Sequence, residues 1–539
     1  MAGLVLAALS WMTTKAQTTG LEHPKLVVGI VVDQMRWDYL YRFYDRYSAG
    51  GFRRLMDGGL DCENTMLPYI PSYTACGHSC IYTGSVPAIN GMTGNNWFDN
   101  DLGREMYCTE DHNVQTVGSD TRAGEMSPRN LLTTTITDEL RLATNFRSKV
   151  IGVALKDRGS ILPAGHTANA AYWYDYKTGD FISSTYYMRV LPDWVKAFNT
   201  RRLSDTYCKE GWKTLYPQGT YDQSTGDTAT WEGRPFGNDQ SGFPYNLTAF
   251  IGKDYTKLAT TPWGNTLTAE MAKAAIAGEQ LGKGKFTDFL AISFSSTDYV
   301  GHAFGPNSIE AEDTYLRLDR TLADLLSYLD AKVGKGQYLV FLTADHGAAH
   351  SAGFLQAHGV PAGTFNDGAM KRELDQKLGA AFHTQGLVRS FDNYQVTLDH
   401  GLMDSLGLDT KKVQGVVLQY LRAQPAVARA FVIDKLNDET TLPTLLKEKV
   451  SNGYNPHRGG DIQVIVNPQW MEGGATGTTH GLWNPYDAHI PLLWYGWGIR
   501  PGKVYREVYM TDIAVTLAAK LHIQMPNGAI GHVIEEAAR

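Results

Sequence analysis

Six short, unbroken apolar runs limit what this chain can fold into. They are residues 25–32 (KLVVGIVV), 149–155 (KVIGVAL), 289–294 (FLAISF), 338–343 (YLVFLT), 462–466 (IQVIV) and 490–495 (IPLLWY). Runs of this length, without polar alternation, read as strands buried on both faces. Helical patterns fill several intervals, most clearly 268–281, where Thr268 offers an N-cap, and 309–330. Strands alternating with helices predict an α/β fold with a largely parallel central sheet. Two stretches break the rhythm. Residues 165–265 are rich in Gly, Tyr, Asp, Ser and Thr, and residues 352–460 carry helical segments of their own. Both read as insertions or caps over the core.

Composition removes some functions. The chain has 49 basic and 56 acidic residues and a net charge of -7, so it lacks the basic footprint of nucleic-acid binding. No later run reaches the ~18–20 apolar residues that span a membrane. The apolar stretch from Leu4 to Met12, followed by Ala16 among small residues, reads as a signal peptide over residues 1–16. No Lys or Arg precedes it, which is irregular for such a signal. That reading puts the mature protein in the periplasm or outside the cell. Five cysteines (Cys62, Cys76, Cys80, Cys108 and Cys208) form no CxxC, and their odd number cannot pair completely within one chain. Buried packing thiols are the reading for most of them. Cys76 and Cys80 are spaced to share one helix face.

The ends of the runs carry the chemistry. KLVVGIVV runs directly into Asp33. YLVFLT is followed by Ala344 and then Asp345-His346-Gly347. FLAISF is followed closely by Asp298, with His302 four residues later. Ligands of open α/β sheets bind at the carboxyl ends of strands, so these residues belong on one rim. Asp, His and a hydroxyl suit zinc. Two zinc ions ~3.5–4 Å apart stabilise both the attacking and the leaving oxygen of an in-line phosphoryl transfer. His480, in a Gly/Thr-rich loop, is the best remaining ligand. A strand-end Asp or a DHG tripeptide alone is commonly structural; their joint placement after separate strands carries the reading. Thr74 lies between an extended, Pro-containing stretch and a helix. Alone it reads as an N-cap, but a helix N-terminus also favours an anion. Lys156 and Arg158 follow KVIGVAL, and in an extended segment their i, i+2 spacing points both to one side. Two cations complement the doubly charged phosphoryl group of a monoester.

Taken in order, Asp33, PSYTACGH, TGNNWF, LKDRGSILPAGH, STDYVGH, TADHG and TTHGLWNPYDAHIPL resemble the alkaline phosphatase superfamily, most closely its PafA-type bacterial branch. The resemblance runs from about residue 25 to the C-terminus. It implies an α/β three-layer sandwich, with helices flanking a largely parallel sheet. It also implies one catalytic domain over 17–539 with insertions at about 165–265 and 352–460. It implies two zinc ions, one held by Asp33, Asp345, His346 and Thr74, the other by Asp298, His302 and His480. Asn95 would donate to a phosphoryl oxygen, with Asn96 as the fallback, and Lys156 and Arg158 would contact the transferred group. The implied activity is zinc-dependent alkaline phosphatase hydrolysis of small-molecule phosphate monoesters through a covalent phosphothreonine at Thr74. Neither nucleic acid nor a membrane span enters, and the oligomeric state stays open, a monomer included. A phosphodiesterase or nucleotide pyrophosphatase of the same superfamily is the nearest rival, and Lys156 with Arg158 argues against it. A secreted binding protein with an inactive fold would lack a ligand or the nucleophile, and none is missing. His78, His350 and His489 match no ligand position and read as structural or orienting residues.

Overall fold

Leu26–Val32 is buried along its whole length because it is flanked on both edges and covered on both faces. It pairs in parallel with Asp288–Phe294 on one side and with Tyr338–Thr343 on the other. Each fully buried Val, Leu or Ile there is worth ~1.5–3 kcal/mol, so this centre sets the register of the sheet. The computed structural model describes residues 22–539. The signal-peptide reading at 1–16 lies outside them.

The main sheet has ten strands. Its central run is Tyr338–Thr343, Leu26–Val32, Asp288–Phe294, Val150–Ala154 and Ala170–Asp175, all parallel. Flanking helices complete the α/β sandwich. The outer strands are mixed. Leu492–Gly496 runs antiparallel to Tyr338–Thr343, and Asp180–Ser184 antiparallel to Ala170–Asp175. The expected parallel character therefore holds for the centre and fails at the edges. Ile462–Val466 leaves the main sheet for a second, antiparallel one with Val388–Asp392, Gln395–Leu398 and Val427–Val432. An apolar run reports burial but neither direction nor sheet membership, so these two assignments were beyond it.

The two rhythm-breaking stretches differ. Ala170–Asp175 and Asp180–Ser184, from the first, extend the main sheet. The second builds most of the antiparallel sheet, with a core of its own that includes Leu374, Val396, Val417 and Ile462. Thr268 is not an N-cap. It lies inside the helix Trp263–Gly278, which starts after Pro262, and its Oγ1 donates to the Gly264 carbonyl at 2.9 Å. Proline is well tolerated at a helix start, and that signal outranked the threonine. Ile309–Leu329 begins at Ser308, whose Oγ accepts from the Ala311 amide. All five cysteines are free and buried. Among the described residues no helix is long and apolar enough to cross a membrane.

Four adjacent central strands end on the same rim. In order across the sheet they deliver Asp345, Asp33, Asp298 and Lys156. Strands lie ~4.8 Å apart, so residues just past neighbouring strand ends are brought side by side.

Candidate active site

Three carboxylates and three imidazoles converge at that rim. Asp33, Asp345 and His346 present ligand atoms within 4.8 Å of one another, and so do Asp298, His346 and His480. His302 lies one helical turn beyond Asp298, its Nε2 3.0 Å from Asp298 Oδ1. His346 sits between the two groups, stacked on His480 with 3.5 Å between ring centroids. The residues of the two ligand sets expected from sequence thus lie in one cluster, and His346, expected in the first set alone, lies within reach of both groups.

Hydrogen bonding fixes which imidazole nitrogen is free. Nδ1 of His346 faces the Gly347 carbonyl at 3.0 Å, Nδ1 of His302 the Thr478 carbonyl at 2.8 Å, and Nδ1 of His480 the Ser72 carbonyl at 2.6 Å. A carbonyl only accepts, so each Nδ1 carries the proton and each Nε2 offers a lone pair to the cluster. Burial, followed by the neighbouring histidines, holds His480 well below the usual imidazole range; burial also lowers His346. Burial opposes charge on Asp298, but His302 and Lys156 outweigh it and keep that carboxyl well below its ordinary value. Burial, with Asp298 and Asp345 beside it, pushes Asp33 the other way.

The donor set fits a metal. Asp33 Oδ1, Asp345 Oδ2 and His346 Nε2 are buried with no hydrogen-bond partner among the described residues. The imidazole nitrogen lies 3.6 Å from the first oxygen and 3.4 Å from the second. Each orphaned buried polar atom costs ~1–3 kcal/mol. Neutral imidazole and ionised carboxylate atoms converging at this range are the donors that a cation compensates.

Thr74 is the first residue of the helix Thr74–Thr83, with extended Tyr73 as N-cap. It is buried, and its hydroxyl makes no hydrogen bond to a described residue. The helix packs unusually close to the Asp345 strand end. A Cβ at Gly77 would stand 2.5 Å from the Asp345 carbonyl oxygen, so only glycine permits the approach. His78 ties the parts together. Its Nδ1 lies 2.9 Å from the Thr74 carbonyl and 3.3 Å from Asp345 Oδ2, and its Nε2 2.8 Å from Ser293 Oγ. Asn95 Oδ1 accepts from the Ala75 amide at 3.0 Å, which leaves its Nδ2 donors free. Asn96 is more exposed, and its carbonyl is used by Asn393 Nδ2.

Lys156 and Arg158 do not sit on an extended segment. Lys156 is the N-cap of the helix Asp157–Ala164, and Arg158 lies in its first turn. Lys156 Nζ bridges Asp33 Oδ2 at 2.6 Å and Asp298 Oδ2 at 2.5 Å. Burial opposes its charge, yet Asp298 and Asp33 raise its pKa. Arg158 Nη1 donates to the Tyr107 hydroxyl at 3.0 Å, while its buried Nε has no partner among the described residues. Tyr107 and Thr109 in turn donate to Asp157 at 2.6 and 2.8 Å.

Gln34, Tyr107 and Ser72 carried no signal in the sequence. Gln34 adopts a positive φ of 64°, donates its amide to Asp345 Oδ1 at 3.1 Å and its Nε2 to Asp298 Oδ1 at 2.6 Å. Its one available clue was adjacency to Asp33. His350 and His489 lie elsewhere, against Asn307 and on the Trp37 ring.

The sequence profile of the family described as type I phosphodiesterase / nucleotide pyrophosphatase matches residues 27–487. A Myroides odoratus protein named calcium-transporting ATPase is 53% identical, over 96% of this chain and 95% of its own length. The alkaline phosphatase PhoV of Synechococcus elongatus is 54% identical, over 95% and 92%. The alkaline phosphatase PafA of Elizabethkingia meningoseptica is 49% identical, over 99% and 98%. The PafA crystal structure superposes with a TM-score of 0.94, covering 96% of this chain and 99% of that one. A PafA variant with a threonine changed to serine, and an asparagine, a lysine and an arginine changed to alanine, gives 0.93.

Proposed function

This chain belongs to the alkaline phosphatase branch of the type I phosphodiesterase / nucleotide pyrophosphatase family, and from that premise we propose how its residues act. The chain is an alkaline phosphatase that hydrolyses phosphate monoesters to an alcohol and inorganic phosphate. The observation that carries the residue assignment is the pair of buried Lys156 and half-buried Arg158, with the buried Arg158 Nε left without a partner among the described residues. A monoester brings a dianionic phosphoryl group with three non-bridging oxygens, and charge-assisted hydrogen bonds to it are strong. A diester has one of those oxygens esterified and gains less from two cations. The PafA variant was altered at the same four residue types that are assigned here: Thr74, Asn95, Lys156 and Arg158.

Asp33, Asp345, His346 and Thr74 would hold one zinc ion, and Asp298, His302 and His480 the other. Zinc there supplies Lewis acidity, which activates a hydroxyl and stabilises charge on the leaving oxygen. Thr74 Oγ attacks phosphorus in line; the Oγ–P bond forms as the bond to the leaving alcohol breaks. Water then attacks the phosphothreonine and releases phosphate. Asn95 Nδ2, Lys156 and Arg158 hold the phosphoryl oxygens, and the Thr74–Thr83 helix adds the positive end of its dipole. His78 and Gln34 keep Thr74, Asp345 and Asp298 in place. The N-terminal apolar segment supports work outside the cytoplasm.

Thr74→Ala tests the nucleophile. It should retain metal content by elemental analysis and lose most turnover of an aryl phosphate, while wild-type activity should be lost to a chelator and restored by zinc. Full turnover in the variant would remove Thr74 from the reaction.

A further inference from the structure

A cavity of about 430 Å³ opens over Asn95, His302 and His480. Lys156 and Arg158 do not line it. His302 and His480 belong to the metal group that would face the leaving oxygen, so a leaving group held there extends into this space. His480 reaches the cavity wall from a nearly fully buried position, and its Nε2 makes no hydrogen bond to a described residue. The cavity is thus continuous with the reacting end of the site.

Its outer wall is anionic. Asp367 is the first residue of the helix Asp367–Phe382, Asp392 the last of the strand Val388–Asp392, and Glu472 the last of the strand Trp470–Glu472. Three element ends from different parts of the chain put their carboxylates on one cavity. The strand pair Gly363–Phe365 and Trp470–Glu472 fixes Glu472 opposite Phe365, two residues before Asp367. Burial, then Asp367 and Asp392, pushes Glu472 up to about 7; burial, then Glu105 and Asp367, raises Asp392. Lys371, one turn along the helix from Asp367, is paired with Asp375 at 3.6 Å. Tyr73 lines the same cavity. An aromatic ring among carboxylates is the setting in which alkylammonium groups bind.

We propose that Asp367, Asp392 and Glu472 select monoesters whose leaving alcohol carries an alkylammonium cation. This rests on the monoesterase reading above. The probes are phosphocholine, whose cation is permanent, and its uncharged carbon isostere, dimethylbutyl phosphate. Both are measured at pH 9, where Glu472 is ionised.

In the wild type kcat/KM for the cationic ester should exceed that for the neutral one by roughly tenfold, the scale of one well-placed charge pair. That ratio should fall toward one in Asp367→Asn, Asp392→Asn and Glu472→Gln, singly in part and together in full. It should also shrink as salt is raised. Each ratio is taken within one protein, so a general loss of activity cancels. If wild-type enzyme turns over both esters equally, or keeps its preference in all the variants, the acidic wall has no selective role and the monoesterase reading stands. If neither ester is hydrolysed while an aryl diester is, the monoesterase reading fails and takes this inference with it.

Discussion

Gly77→Ala sets two physical effects against each other. By helix propensity alone, alanine in the middle of Thr74–Thr83 should stabilise the protein by ~1 kcal/mol. The packing argues the reverse. The new Cβ would stand 2.5 Å from both the Cβ and the carbonyl oxygen of Asp345, and 2.7 Å from its Cα. Carbon atoms rest ~3.5–4.0 Å apart, so the helix must retreat by ~1 Å. Two of the three obstructing atoms are backbone, and no rotamer change removes them. Overpacking of this kind costs ~1–3 kcal/mol, so the net loss of stability is at most ~2 kcal/mol. Catalysis suffers more. The retreat separates Thr74, three residues earlier, from Asp345, and a misplacement of ~1 Å at a reacting group costs ~10²-fold in rate. Urea unfolding and kcat/KM for an aryl phosphate, run in parallel, separate the two effects. A variant that is more stable than wild type with full kcat/KM would refute the close-packing argument and the placement of Thr74 that depends on it.

Two further changes probe the supports. Tyr107→Phe deletes the hydroxyl that accepts from Arg158 and donates to Asp157, so inhibition by inorganic phosphate should weaken by roughly tenfold with little loss of stability; an unchanged inhibition constant would mean that Tyr107 does not position Arg158. Glu232 is pushed up to about 9 by burial, then by Glu310 and Asp227. The folded state therefore keeps a proton that the unfolded state gives up, and stability falls as pH rises from the unfolded carboxyl range through about 9. Relative to Glu232→Gln, wild type should lose on the order of 1 kcal/mol per pH unit between pH 7 and 9 in urea titrations, and a pH-independent difference would contradict the assignment.

The site was more legible than the fold around it, for a physical reason. Asp33, Asp298 and Asp345 each closely follow a fully apolar strand, and a parallel sheet sends all such ends to one rim. Those three strands needed only to be recognised as buried. Direction is different. Leu492–Gly496 has the same apolar character as its parallel neighbours, and nothing in its composition records that it runs the other way. Lys156 and Arg158 were identified by charge and position, but their presentation was not, because Asp157 starts a helix where the strand was expected to continue. Gln34, Tyr107 and Ser72 act through contacts across 50 to 410 residues of chain, or through a single positive φ, and single-sequence patterns carry neither. Thr268 shows the converse: a good capping residue by type, it is outranked by Pro262, six residues earlier and immediately before the true helix start.

The proposal that the cation pair gives this site its monoester preference is tested most directly by one ratio. It is kcat/KM for an aryl phosphate monoester over that for its methyl diester, measured in the wild type and in Lys156→Ala/Arg158→Ala. The wild type should favour the monoester strongly. The double variant should lose ~10²–10³-fold or more on the monoester and far less on the diester. Equal losses on the two esters, or a wild type that prefers the diester, would contradict the assignment.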